Sequence, residues 1–157
     1  MNRIFIKNNV SFEIDGNKTN AEQINSTLKY DFKGKNDFIE FYLSYNGIYF
    51  PKGAFIKRSN FYTVNKNEYD ELEVEYFYEI PNRLLEMWNA TKEHSEEAKV
   101  FAEYNIPFAR DAAGNDFWIE IETGIVKYIS WEYDFPEAIT IAAPSFKEFC
   151  QAIESYK

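Results

Sequence analysis

The chain of 157 residues contains one cysteine, Cys150, and one histidine, His94. An intrachain disulfide is therefore impossible, and a structural zinc site, which needs about four Cys or His ligands, has no material to form from. A Ser-His-Asp or Cys-His nucleophile would have to use His94. That residue lies in the polar stretch Thr91 to Glu97 and reads as a solvated surface histidine. No apolar run approaches the roughly 18 residues of a membrane span. The first seven residues offer three apolar side chains, Ile4, Phe5 and Ile6, where a signal peptide needs about seven to fifteen. The expectation is a cytoplasmic protein that does not enter the membrane. Excess positive charge is absent too: the net charge is -9 at pH 7. Nucleic-acid binding relies on Lys and Arg displacing counterions from phosphates, so no nucleic-acid partner is expected. There is no repeat, low-complexity tract or Pro/Gly-rich linker, which points to a single domain.

What the chain has in quantity is aromatic surface: 3 Trp, 12 Tyr and 15 Phe, 19% of its residues. A chain of this size buries roughly 68–70% of its unfolded surface, and large apolar groups gain more from burial than they lose in conformational entropy. Disorder is excluded. Charge is unevenly spread. Residues 1–66 carry 10 basic and 6 acidic residues, a net of +4; residues 67–103 carry 3 and 11, a net of -8; residues 104–157 carry 4 and 9, a net of -5. An acidic middle segment can steer a basic partner or simply keep the protein soluble.

Two short strands are expected at the start, around Arg3–Lys7 and Val10–Ile14, and a first helix over Ala21–Leu28. Asp37 and Glu40 have capping-box spacing, and Phe38, Phe41, Tyr42 and Tyr45 share a helical face that ends at Asn46-Gly47. Residues 54–64 and 71–79 read as strands around a polar loop. In the second, Leu72, Val74, Tyr76 and Tyr78 alternate with Glu71, Glu73, Glu75 and Glu79, with Phe77 interrupting. Pro81 suits the first turn of a helix with Leu84, Leu85 and Trp88 on its apolar side. Ser95 caps another, with Val100, Phe101 and Tyr104 facing inward. Three consecutive hairpin strands follow at Ile106–Arg110, Asp116–Ile121 and Val126–Trp131. A short apolar segment, Ile139–Ala143, precedes a helix opened by Pro144 and a Ser145–Glu148 capping box, with Phe146, Phe149, Cys150 and Ile153 as its core stripe. Helices flanking a mostly antiparallel sheet define an α+β fold.

The run from Ile106 to Val126 contains Ile106-Pro107-Phe108-Ala109, Asp111, Gly114-Asn115, Phe117, and Gly124 before Val126. With the helix ending at Asn46-Gly47 before it and Ser145-Phe146-x-x-Phe149 after it, this order and spacing resembles the SUKH superfamily. That group contains fungal cell-wall synthesis regulators and many bacterial immunity proteins. The resemblance covers about residues 37–153; before Asp37 a Leu-Pro pair is usual, and this chain has Tyr30-Asp31-Phe32. It implies binding without catalysis or cofactor: bacterial members resemble antidotes that dock onto a cognate toxin, often a nuclease. It also implies that Asn46, Gly47, Pro107, Asp111, Gly114, Asn115, Gly124, Ser145, Phe146 and Phe149 serve the scaffold.

Among candidate constellations, the glutamates of 71–79 are the most informative. Carboxylates two residues apart on a strand lie roughly 6.8 Å apart, which is mildly repulsive unless cations answer them. Lys57 and Arg58 on the preceding strand could do so within the fold, or Glu71, Glu73, Glu75 and Glu79 could together present a surface to a basic partner. Asp111, Asn115 and Asp116 superficially suggest calcium, but a strand follows them and cannot wrap an ion; turn chemistry is the better account, and no metal site is expected. Glu120 and Glu122 would share a strand face and could form a hydrolytic pair, although alternation produces such pairs on any half-exposed strand. The leading expectation is a non-enzymatic binding module, an immunity protein that neutralises a basic toxin such as a nuclease. The alternatives are a regulatory scaffold without a toxin partner and a small carboxylate hydrolase.

Overall fold

Residues 4–156 are described by a computed structural model. The hairpin pattern expected after residue 105 forms its centre. Strands β6 (Asn105–Arg110), β7 (Asp116–Glu120) and β8 (Val126–Ile129) pair antiparallel in sequence order. Five successive β6 residues, Asn105 to Ala109, are buried, so alternation is lost there. The reason is that helices cover both faces. Phe108 and Phe117 meet Phe146 and Phe149 on one side, and Trp118, pointing oppositely from its neighbour Phe117, meets Phe101 on the other. Pro107 lies opposite Trp118 where the register slips before Ala109; lacking an N–H, proline suits such a bulge.

Strand β9 (Ile139–Ala143) extends this sheet beyond β8; β5 (Tyr76–Phe77), β2 (Ile48–Tyr49) and β1 (Glu13–Ile14) extend it beyond β6. The order is β1-β2-β5-β6-β7-β8-β9, antiparallel throughout. A second, three-stranded sheet consists of β10 (Glu154–Ser155), β3 (Ala54–Lys57) and β4 (Glu71–Glu73). With five helices around the larger sheet, the fold is α+β as expected.

Helix α1 (Ala21–Thr27) starts where Asn20 accepts from the Gln23 N–H. Helix α2 (Lys35–Tyr45) buries the expected stripe of Phe38, Phe41, Tyr42 and Tyr45 completely. Its start differs from expectation: Gly34 occupies the cap position, no side chain caps the helix, and Asp37 lies inside the first turn. Helix α3 (Asn82–His94) follows Pro81, and α4 (Glu96–Tyr104) is capped by Ser95, whose hydroxyl accepts from the Ala98 N–H at 3.0 Å. On α4 the inward face is Ala98, Phe101 and Ala102, whereas Val100 and Tyr104 are 53% and 65% exposed. The small alanines let α4 lie close to its neighbours, and bulk alone misassigned Val100 and Tyr104. Helix α5 (Phe146–Gln151) buries Phe146, Phe149 and Cys150, with Ile153 just beyond it, and Ser145 caps it as expected.

Three strand expectations change. Of the two N-terminal strands only Glu13–Ile14 forms. Arg3 lies outside the described residues; Phe5 and Ile6 are fully buried without a strand, Phe5 standing edge-on to Phe41 at 5.6 Å. The strand over 54–64 stops at Lys57, where a 3-10 turn, Arg58–Asn60, begins. Asp70 draws the chain round by accepting from the Ser59 N–H and hydroxyl at 2.7 and 2.9 Å. The strand over 71–79 breaks in two. The Val74 N–H still donates to Ala54 of β3, while the Glu75 N–H donates to Arg110 of β6, so the chain crosses between sheets at this point. Inward phase slips with it, from Leu72 and Val74 to Phe77, and Tyr78 is buried as well because the larger sheet is covered on both faces.

Candidate interaction surface

The crossing between sheets divides the four glutamates into two pairs. On β4, Glu71 is register partner of Lys57 and accepts from the Tyr156 hydroxyl at 3.2 Å. Glu73 accepts from the Ala112 N–H at 2.7 Å. Both are answered within the fold. Arg58, the other expected counter-charge, faces elsewhere: it is 7% exposed, and its guanidinium donates to the carbonyls of Ile141 (2.6 Å) and Tyr69 (2.9 Å) beside the Glu68 carboxylate at 3.5 Å. It fastens the edge strand β9 of the large sheet to the loop preceding β4.

Glu75 and Glu79 instead border a cleft of about 610 Å³. Tyr49 of β2 and its cross-strand partner Tyr76 of β5 supply its aromatic lining, together with Asp15, Gly16, and Arg83 and Glu86 of α3. The Tyr49 hydroxyl donates to Glu13. The Arg83 guanidinium donates to the Tyr76 hydroxyl at 3.2 and 3.1 Å and to Glu86 at 2.9 Å. Arg110 lies over the Tyr76 ring at 5.4 Å. Four carboxylates thus face one guanidinium in the cleft. That guanidinium is engaged by Tyr76 and Glu86, and among the described residues no hydrogen bond or ion pair reaches the carboxylates of Asp15, Glu75 or Glu79.

Asn46 and Gly47 hold this lining together. The buried Asn46 amide donates to the carbonyls of Asn17 (2.7 Å) and Ile80 (2.9 Å) and accepts from the Ile80 N–H at 2.8 Å. One side chain thereby ties the Asp15–Asn17 turn to the start of α3. Gly47 has φ +72°, and a Cβ there would stand 2.8 Å from the Gly16 nitrogen. Only glycine combines that conformation with that approach.

The Asp111–Asp116 turn is saturated by protein donors. Asp111 accepts from the N–H groups of Ala113 and Asn115, both at 2.9 Å, from the Asn115 amide at 3.2 Å, and from the Tyr128 hydroxyl at 2.5 Å. Burial, with Asp111 behind it, pushes the Tyr128 hydroxyl well above its ordinary pKa. Gly114 completes the turn, and the Asn115 side-chain Oδ1 accepts from the Trp131 backbone N–H at 3.0 Å. Asp116, 1% exposed, accepts from the indoles of Trp118 (2.7 Å) and Trp131 (3.1 Å). Burial raises its carboxyl to about 7 against the pull of those indoles. Among the described residues no group of three or more His, Cys, Asp or Glu is placed to hold a metal ion. Gly124 is the last of the turn glycines: its φ is +77°, and a Cβ would meet the Lys33 carbonyl oxygen at 2.9 Å.

The expected Glu120–Glu122 face does not form. Strand β7 ends at Glu120, and Glu122 is exposed in the following turn. Glu120 is bound by Lys127 at 2.5 Å and Thr123 at 2.7 Å, and the Lys127 bond above all holds its carboxyl below the usual range. His94 is exposed at the end of α3, its ring 5.2 Å from Trp131. The Cys150 thiol is buried, which pushes its pKa well up, so it packs as a small apolar group. No helix among the described residues is long and apolar enough to cross a membrane.

Sequence reading named Glu75 and Glu79 but missed Asp15, Tyr49, Arg83 and Glu86. The helix end at Asn46-Gly47 is legible in the sequence; its contact with Gly16 is not. No curated protein and no solved structure matches the chain. The model of the SMI1 / KNR4 family (SUKH-1) matches residues 22–152, from the second residue of α1 through α5, and so begins 15 residues before the stretch that carried the resemblance. With the Asn46-Gly47 staple, the Asp111–Asn115 turn, Gly124 and the Ser145 cap all inside that span, this chain belongs to the SMI1/KNR4 family (SUKH-1).

Proposed function

We propose that this chain is a non-enzymatic binding module of the immunity type, which docks onto a cognate basic toxin and neutralises it in the cytoplasm of the cell that makes both. The observation that carries this reading is the cleft in which Asp15, Glu75 and Glu79 have no cationic partner among the described residues. Clustered carboxylates repel one another, and a partner's Lys or Arg relieves that repulsion on docking. The surrounding residues 67–103, with a net charge of -8, add a field that speeds encounter with a basic surface. Membership of a family with many bacterial immunity proteins supports the same reading.

The immunity reading predicts a large secreted protein with a variable C-terminal domain in the reading frame immediately upstream, and the test is co-expression of this chain with that C-terminal domain. Cells carrying both are expected to grow, and the two polypeptides to co-purify at fixed stoichiometry. Continued toxicity with no complex would refute the immunity reading and leave the regulatory scaffold as the better account.

A further inference from the structure

We infer that the cleft lined by Tyr49 and Tyr76 is a socket for a single arginine side chain of a protein partner, with Glu75 and Glu79 as its principal acceptors. The inference rests on the partner-binding reading and names the group that the site takes. Three features lead to it. First, the acidic residues of 71–79 divide cleanly: Glu71 and Glu73 are answered by Tyr156 and the Ala112 N–H, while Glu75 and Glu79 are answered by nothing among the described residues. The unanswered pair is the one facing a concavity. Second, that concavity is lined by two tyrosines that are cross-strand partners. The Tyr49 hydroxyl is committed to Glu13, so the rest of the ring is left to the cleft as apolar surface. Third, the fold already holds guanidinium groups here: Arg83 bonds to the Tyr76 hydroxyl through two nitrogens, and Arg110 lies over the Tyr76 ring. Both leave Asp15, Glu75 and Glu79 unoccupied.

Arginine fits this lining better than lysine. A guanidinium is planar, donates five hydrogen bonds in a fixed fork, stacks on aromatic rings and is weakly hydrated. It can bridge two carboxylates while its face lies against tyrosine. An ammonium is a strongly hydrated point charge and gains less from the rings.

The test uses the full chain and two small probes, N-acetyl-arginine methylamide and its lysine counterpart, titrated at low salt and followed by amide NMR shifts. The arginine probe is expected to move the resonances of Gly47, Tyr49, Glu75, Tyr76 and Glu79, and to bind several-fold more tightly than the lysine probe. Glu75→Gln with Glu79→Gln is expected to weaken arginine binding about tenfold or more. The charge-matched double variant Glu71→Gln with Glu73→Gln is expected to leave it unchanged. Amide substitutions on partly exposed carboxylates that lack internal partners preserve the fold, and the thermal midpoint checks this. Shifts scattered over the acidic surface, equal binding of the two probes, or equal effects of the two double variants would each overturn the socket. The titration needs no toxin. Toxin capture that is indifferent to the Glu75/Glu79 variant would therefore remove the socket and leave the immunity reading intact, whereas localised arginine binding without toxin capture would do the reverse.

Discussion

Replacing Asp116 by Asn should stabilise the protein at neutral and alkaline pH, by an amount that depends on pH in a specific way. The carboxyl is 1% exposed and rises from an ordinary 3.8 to about 7, mainly because burial penalises its charge. At 1.36 kcal/mol per pKa unit, keeping the ion buried above pH 7 costs about 4 kcal/mol, an upper figure because the site can relax. Below 3.8 the group is neutral in both folded and unfolded chains and costs nothing. Between 3.8 and 7 the folded protein holds a proton that the unfolded chain has released, so its contribution to stability falls steadily as pH rises, then levels off. In the Asn variant the Oδ1 atom still accepts from the Trp118 and Trp131 indoles, and no charge is buried. Urea unfolding of both proteins from pH 4 to pH 8 is the assay. The stability difference is expected to be small at pH 4, to widen up to pH 7 and to stay constant beyond it, with the thermal midpoint rising by about 2–4 °C per kcal/mol. Glu120, whose lowered pKa comes from Lys127 and Thr123, contributes equally in both proteins and cancels. Parallel curves, or a variant less stable at pH 8, would refute the account and mean that the indoles need a charged acceptor.

Arg58→Ala should destabilise by about 2–4 kcal/mol in urea, since it leaves the Ile141 and Tyr69 carbonyls without their charged donor; Arg58→Lys should recover only part, because an ammonium does not reproduce the planar fork. Gly47→Ala should cost about 1–3 kcal/mol through its left-handed backbone and the Gly16 contact, and a neutral effect on the unfolding midpoint would contradict the tight approach of the two turns. On the proposed function, association with a basic toxin should slow when salt is raised from about 0.05 to 0.5 M, because the screening length falls well below 10 Å; a salt-independent rate in stopped flow would exclude steering by the acidic segment.

The apolar stripes of α2 and α5, the Ser95 and Ser145 caps, and the three strands between residues 105 and 129 could all be read from the chain alone, because periodicity and capping are local properties. So could the absence of an intrachain disulfide and the acidic excess of residues 67–103, which follow from composition. Tertiary structure decided the rest. The single strand expected over 71–79 became two, in different sheets, because the partner of each residue changed from β3 to β6 midway; a pattern of alternation carries no record of its partner. Arg58 turned from a counter-ion for Glu71–Glu79 into a buried clasp on Ile141, a residue 83 positions away. Val100 and Tyr104 remained outside because two alanines set the contact distance of α4. The cleft itself draws on residues 15–16, 47–49, 75–79 and 82–86. Each segment has its own local logic, and only the packing of Gly47 against Gly16, held by Asn46, brings their carboxylates to one place.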